Sequence, residues 1–301
     1  MTAEVPLPPG IERRRIDTRR GPVAALHARP ERPTGHASVL VCGFMATKED
    51  FRQILPRLAQ GGHDAWAYDH LGQHGELAGP GEDGPDRYTI TSMAEEGREV
   101  IEAVGGGTPV HVVGHCFGGF VARAMALAAP RLTQSLTMLS CGRQLRPAYA
   151  RAVVVGIDDL LSRGGAMLMW PVLKRVLPKD DHVTRDFWHT KLATVNPHYL
   201  KGVGQSLVDE ADRTGEVVAA GIRSLVMHGS REKRLWRPEA YADMARELQA
   251  DLVVVDKSGH NVNMEQPEAT AAQLLSFWTR AEAREATAAS VAVGACAAGE
   301  P

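Results

Sequence analysis

The stretch Val110-His111-Val112-Val113-Gly114-His115-Cys116-Phe117-Gly118-Gly119 leaves the chain few ways to fold. Val110 to Val113 has strand character, and from Phe117 the pattern turns helical, with Phe120, Val121, Ala124, Met125 and Ala128 ahead of Pro130. Strand therefore passes into helix at Cys116. Such a turn strains its central residue and admits almost no side chain at Gly114 and Gly118, where strand and helix approach. It lifts one side chain clear of the sheet. It also aims the free amides at the helix start, with the positive end of the helix dipole, at whatever that side chain meets. A glycine-rich βα turn holding a buried thiol has the same local pattern, so the rest of the chain must decide.

Ile11 to Asp17 and Val23 to Ala28, on either side of Thr18 to Pro22, predict a β-hairpin. Ser38 to Val41 is a predicted strand that runs into Cys42-Gly43-Phe44-Met45, a loop able to point backbone amides above a sheet. A helix from Glu49 to Gln60, a strand from His63 to Tyr68 and a helix opened at Thr91 and ended by Gly105 to Gly107 follow. Past the elbow comes a strand from Leu136 to Leu139. This alternation implies a mainly parallel sheet with helices on both faces. From Arg143 to Glu216 the strand pattern stops. The apolar stretches Ala152 to Leu161 and Ala166 to Val176, with Trp170, Phe187, Trp188 and Tyr199, predict a helical insertion. Strands resume at Ile222 to His228 and Leu252 to Val255, around a helix from Pro238 to Gln249, and a last helix is predicted from Pro267 to Arg284. The small residues of 285–301 are expected to be disordered. The organisation read here is thus a core of 1–142 and 217–284, a cap of 143–216 and a tail.

Three side chains fall at strand ends. Cys116 follows the elbow strand, Glu232 lies just past His228, and His260 closely follows Val255. In a parallel sheet those ends share one edge. A nucleophilic thiol needs a base, and the base needs an acceptor that orients it, so the set has the right chemistry. Glu239 and Asp158 remain alternatives to Glu232. His70 and His74 are four apart, but Gly72 between them argues against a helix aligning them as metal ligands. No metal and no cofactor is expected. A formal charge of −2 over 301 residues gives no basic field for nucleic acid, and no apolar run is long enough to span a bilayer. Met1 to Gly10 lacks a basic start followed by an apolar stretch, and Cys42, Cys116, Cys141 and Cys296 are dispersed; both favour reduced thiols in a cytoplasm. Expected partners are small molecules, not nucleic acid or membrane.

Gly114-His115-Cys116-Phe117-Gly118 resembles the nucleophile elbow Gly-x-Ser-x-Gly of the α/β-hydrolase superfamily, with Cys in place of Ser. The order nucleophile, acid, histidine is that of the superfamily. Gly229-Ser230-Arg231-Glu232 is similar to its Gly-x-x-Asp acid site, and Asp69-His70-Leu71-Gly72-Gln73-His74-Gly75 to its Asp-x-x-Gly-x-Gly loop with one extra residue. Cys42 stands where the superfamily usually has His before Gly, which leaves open what braces that loop. The resemblance implies an α/β-hydrolase fold: a mainly parallel, eight-stranded sheet with helices on both faces and a helical cap. It implies Cys116 as nucleophile, His260 as base and Glu232 as acid, with an oxyanion hole from the amides of Phe117 and of Phe44 or Met45. His115, Trp170 and Trp188 are the expected substrate contacts, the tryptophans also fitting the cap's own core.

Cysteine elbows occur in dienelactone hydrolases and in polyhydroxyalkanoate synthases, whose Gly-x-Cys-x-Gly-Gly matches residues 114–119, although this chain is shorter than typical synthases. The chemistry implied is acyl transfer from an apolar ester or thioester, free or carrier-protein-bound, because thiolate attack on a thioester exchanges like for like. Release to water makes a thioesterase or esterase; release to another nucleophile makes an acyltransferase, cyclase or condensing enzyme. A ligand-binding protein without turnover is a reading of another class. A disulfide from Cys42 or Cys141 to Cys116 would add redox control.

Overall fold

A computed structural model describes residues 5–73, 83–171, 174, 182–232 and 235–297, with side chains of the last helix described through Ala283. Eight strands form one sheet in the order β1-β2-β4-β3-β5-β6-β7-β8. They are β1 (Ile11–Ile16), β2 (Val23–Ala28), β3 (Ala37–Val41), β4 (Asp64–Tyr68), β5 (Val110–His115), β6 (Thr133–Leu139), β7 (Ser224–Gly229) and β8 (Asp251–Val255). The predicted hairpin β1–β2 is antiparallel and β2 meets β4 antiparallel, whereas β4, β3, β5, β6, β7 and β8 all run parallel. All six parallel strands therefore end on one edge, here called the upper edge.

Strand periodicity splits the core into two layers. Val39, Val41 and Val112 face one apolar cluster with residues of helices α2 (Ile90–Gly105), α3 (Phe117–Ala128) and α8 (Pro238–Leu248). Leu40, Val113 and Leu139 face the other, with α1 (Leu55–Gln60), the short α9 (Val262–Glu265) and the last helix, α10 (Pro267–Ala297). Leu274, Phe277 and Trp278 dock α10, each at most 2% exposed, worth roughly 1.5–3 kcal/mol apiece on transfer grounds. The expected helix Glu49 to Gln60 is broken into a 3₁₀ turn, Lys48–Phe51, and the short α1, which carries Pro56 in its first turn.

Between β6 and β7 lie α4 (Pro147–Arg163), a 3₁₀ turn at Ala166–Met169, α5 (His182–Thr194), α6 (Pro197–Asp209) and α7 (Thr214–Ala219). The insertion is helical as predicted, and α6 packs on α4 and on the turn Pro85–Tyr88. Part of the predicted stretch Ala166 to Val176 lies outside the described residues. The last cap residue expected, Glu216, sits inside α7, which packs on α3 and α8 and so joins the core. Of the expected disordered tail 285–301, α10 continues to Ala297, as an alanine-rich sequence with high helix propensity can, and 298–301 lie outside the described residues. Among the described residues no helix is long and apolar enough to cross a membrane.

Candidate active site

At the top of β5, Cys116 adopts φ 53°, ψ −122°, the strained conformation expected of an elbow. The surrounding glycines explain why. A Cβ on Gly114 would lie 2.2 Å from the Gly118 carbonyl oxygen, and one on Gly118 would lie 2.4 Å from those of Val41 and Cys42. Any larger residue would push α3 off the sheet. The Cys116 amide donates to Leu139 O at 2.9 Å, tying the elbow to β6.

The acid and histidine loops are zipped together before their side chains meet. A Cβ on Gly229 would lie 2.2 Å from Gly259 O, and the Arg231 amide donates to Ser258 O at 2.8 Å. Glu265 accepts from the amides of Gly259 (2.7 Å) and Asn261 (3.0 Å), so both neighbours of His260 are pinned. His260 Nδ1 bonds Glu232 Oε2. Glu232 is 1% exposed. Burial alone would push His260 down, but the pull of Cys116 and Glu232 outweighs it and holds it up at about 10. Of the two alternative acids, Glu239 sits in the first turn of α8 and Asp158 on exposed α4, 3.9 Å from Lys201. His260 lies on Glu232.

Across from the elbow, Ala46 N donates to Gly43 O at 3.1 Å, closing a turn with Phe44 and Met45 at its centre, Met45 at φ 55°. A Cβ on Gly43 would lie 3.2 Å from Cys116 Cβ, so the turn passes directly over the thiol. Phe117 opens α3, where an amide has no intrahelical acceptor. The amides of Phe44, Met45 and Phe117 thus belong to segments that border Cys116.

Two residues that the sequence did not single out brace this turn. Gln73 Nε2 donates to Gly43 O (3.3 Å), Ala46 O (3.2 Å) and Tyr199 Oη (3.0 Å), while its Oε1 accepts from the His70 amide (2.8 Å) and Cys42 Sγ (3.2 Å). Gln73 therefore bridges the loop after β4 to the turn above Cys42. Lys191, from the cap helix α5, is 1% exposed, donates from Nζ to Met45 O and lies 4.3 Å over the Trp188 ring. Burial lowers Lys191 to about 8 against the pull of Asp50 and Asp69, and burial raises Asp50 to about 6.

A cavity of about 600 Å³ opens above the thiol, lined by His115, Cys116, His260 and the Gly43–Ala46 turn, with Phe120, Tyr149, Leu192 and Trp236 among its apolar walls. Trp188 lines it; Trp170 does not and instead meets His189 edge-on and Arg185 through its face. His115 lines it too. It also donates Nε2–H to His260 O at 3.1 Å, and burial holds it down at about 3, so this imidazole is neutral. Tyr149, on the cap helix α4, and Trp236, in the loop before α8, carry no mark in the sequence, because an apolar pattern does not say which side chains meet the cavity. Cys42 and Cys141 are free and fully buried, and burial pushes both thiols up, away from the thiolate that disulfide exchange needs. Of the sequence's metal-spacing pair, His70 is buried against Tyr68, and His74 lies outside the described residues.

Fold and site together define a protein of the α/β-hydrolase class, with a thiol at the elbow. Residues 39–273 match the profile of the Alpha/beta hydrolase family, and the chain belongs to that family. It is 33% identical over 141 residues, 47% of this chain and 51% of the relative, to a protein of Stutzerimonas stutzeri (strain A1501) named as carbamate hydrolase RutD. The matched stretch thus spans about half the length of that relative. Among solved structures, a thermophilic esterase from Thermogutta terrifontis superposes with a TM-score of 0.71 at 19% identity, over 90% of this chain and 99% of that one. The thioesterase domain from the curacin biosynthetic pathway gives 0.65 at 16% identity, over 89% and 99%. At such identities these two likenesses speak for the fold alone.

Proposed function

We propose that this chain is a hydrolase of apolar esters or thioesters that works through an acyl-Cys116 intermediate. The observation that carries the reading is His260 bonded to Glu232, with His260 and Cys116 together at the floor of a largely apolar cavity. Cys116 Sγ attacks the acyl carbonyl as the thiolate, forming the S–C bond while the carbonyl π pair moves to oxygen, where the amides of Phe117 and of Phe44 or Met45 receive it. The tetrahedral species collapses, the bond to the leaving sulfur or oxygen breaks, and protonated His260 supplies that group's proton. Water then attacks the acyl-thioester, its proton passes to His260, and the thiolate departs with free acid as product. Glu232 keeps the Nδ1–H of His260 oriented throughout.

The apolar walls from Phe120, Leu192 and Trp236 suit a hydrocarbon acyl chain, presented as a small molecule or on a carrier protein. The relatives named as carbamate hydrolases fit the same reaction class, attack at a carboxyl-level carbonyl. Incubating the protein with acyl-thioesters of increasing chain length, followed by intact-protein mass spectrometry and assay of free acid, tests the reading, with Cys116→Ala as control. Release of acid, or an adduct that the control lacks, supports acyl chemistry at Cys116. A stable adduct with slow acid release moves the assignment to an acyltransferase, and neither product from thioesters, esters or lactones overturns it.

A further inference from the structure

At the lower edge of the sheet, where the parallel strands begin, a second histidine–glutamate cluster stands apart from the cavity over Cys116. His36 precedes β3, His63 precedes β4, His111 is the second residue of β5, and Glu282 reaches them from α10. His63 Nε2 lies 2.8 Å and His111 Nε2 3.0 Å from Glu282 Oε1, and His36 Nε2 lies 3.9 Å from Oε2. The imidazole centroids are 5.7–6.3 Å apart. Three rings thus converge on one carboxylate. Among the described residues, no lysine or arginine is paired with Glu282 in the structure.

We propose that His36, His111 and Glu282 bind one first-row divalent cation of the zinc type, which staples α10 to the base of the sheet. Each offers a ligand atom, and these atoms lie within 4.8 Å of one another. Tetrahedral zinc with bonds of about 2.0–2.1 Å sets its donors roughly 3.3 Å apart, so side-chain rotation of an ångström or so closes the set around a cation. Two imidazoles and a carboxylate form a donor set that zinc accepts, with a fourth position for water. The second shell is in place. His111 Nδ1 lies 2.8 Å from Ser135 Oγ, so with the metal on Nε2 the ring proton sits on Nδ1 and donates to that hydroxyl. His63 Nε2–H stays on Glu282 Oε1 and orients the carboxylate. Trp278 stacks on the His111 ring at 4.7 Å and 13°, fixing its plane.

Two further observations favour a ligand over a purely hydrogen-bonded cluster. His36 Nδ1 is buried without any hydrogen-bond partner. A cavity of about 170 Å³, lined by Gly35, His36 and Asp64, leads from solvent to the His36 ring. The cation would reach the cluster from that side.

The test uses full-length protein stripped with chelator, in the Cys116→Ala background so that the elbow thiol cannot compete for metal. Calorimetric titration with ZnCl₂ is expected to give one saturable equivalent and a rise in unfolding temperature, and CoCl₂ to give the visible bands of a four-coordinate site. His36→Ala and Glu282→Gln, added singly, are expected to weaken binding by at least about tenfold each, since even outer partners cost that much. His36 is the half-exposed member, so His36→Ala is expected to fold even where Glu282→Gln does not. No saturable binding, or binding unchanged in His36→Ala, overturns the proposal and leaves a hydrogen-bonded cluster.

Discussion

Both edges of the sheet set a buried histidine against a glutamate, and the environments drive the two imidazoles in opposite directions. At the upper edge, His260 is held up at about 10, because the pull of Cys116 and Glu232 overcomes its burial. At the lower edge, His111 is pushed down to about 4, because burial overcomes its bond to Glu282 and its neighbours His63 and His36 oppose a positive charge. The carboxylate there is affected in turn: burial works against it, yet bonds from His111 and His63 hold Glu282 down at about 2. A histidine–glutamate contact therefore says little on its own. The third partner, a sulfur at one edge and two further imidazoles at the other, decides whether the ring is poised to carry a proton or kept neutral as a ligand is.

The largest test of this contrast is Cys116→Ala. It is expected to lower turnover by about a thousandfold or more while leaving the unfolding transition in place, since nucleophile losses have that size. Retained turnover would place the chemistry elsewhere. Next comes Glu232→Gln, which removes the charge and keeps the shape. Turnover should fall by roughly a hundredfold or more, and an NMR titration should find His260 moved down toward its ordinary value. Should the resonance stay put, Glu232 is not what holds the ring up. Lys191→Met removes the cap's bond to Met45 O and makes a smaller test of the same edge. As Lys191 acts through the turn, not on substrate, kcat is expected to drop about tenfold with KM little changed, below the hundredfold or more seen when a direct oxyanion donor is lost. Unchanged kcat would leave Lys191 a packing residue.

The upper edge was largely legible in the sequence and the lower was not, for physical reasons. Gly114 and Gly118 report a local steric demand, so the elbow can be read from ten residues. Glu232 and His260 follow from the rule that parallel strands end together. Gln73 and Lys191 had no such mark: one replaces the brace that the superfamily's histidine at position 42 would give, and the other reaches in from a cap whose packing no periodicity fixes. At the lower edge the same strand rule brings His36, His63 and His111 together. Their shared acid, however, arrives from Glu282, 171 residues beyond His111, on a helix whose face is set by tertiary packing. In the tail, small residues without bulk speak for disorder while alanine speaks for helix, so composition alone does not choose between them.

Glu282→Gln probes the lower edge without touching the upper. Loss of the charged acceptor for two buried imidazoles is expected to cost roughly 1–3 kcal/mol of stability, measured by urea unfolding, with turnover per folded molecule unchanged. A fall in turnover would mean that the two edges are coupled through the sheet.

The smallest effect expected is in how stability varies with pH, where each edge governs one flank. His260 binds its proton more tightly folded than unfolded, so its contribution is complete below about pH 6.5 and is lost as pH rises through about 10. His111 releases its proton on folding, and its contribution fades as pH falls from about 6.5 through 4. Glu282 adds to that loss as pH falls from about 4.5 toward 2. Urea midpoints measured across this range should then separate the variants. Glu232→Gln is expected to flatten the alkaline flank alone, and Glu282→Gln to remove the carboxylate's own loss between about pH 4.5 and 2 while leaving the alkaline flank as it is. If one substitution flattened both flanks, the two histidine–glutamate clusters would titrate as one system, and the contrast between them would not be a property of their separate surroundings.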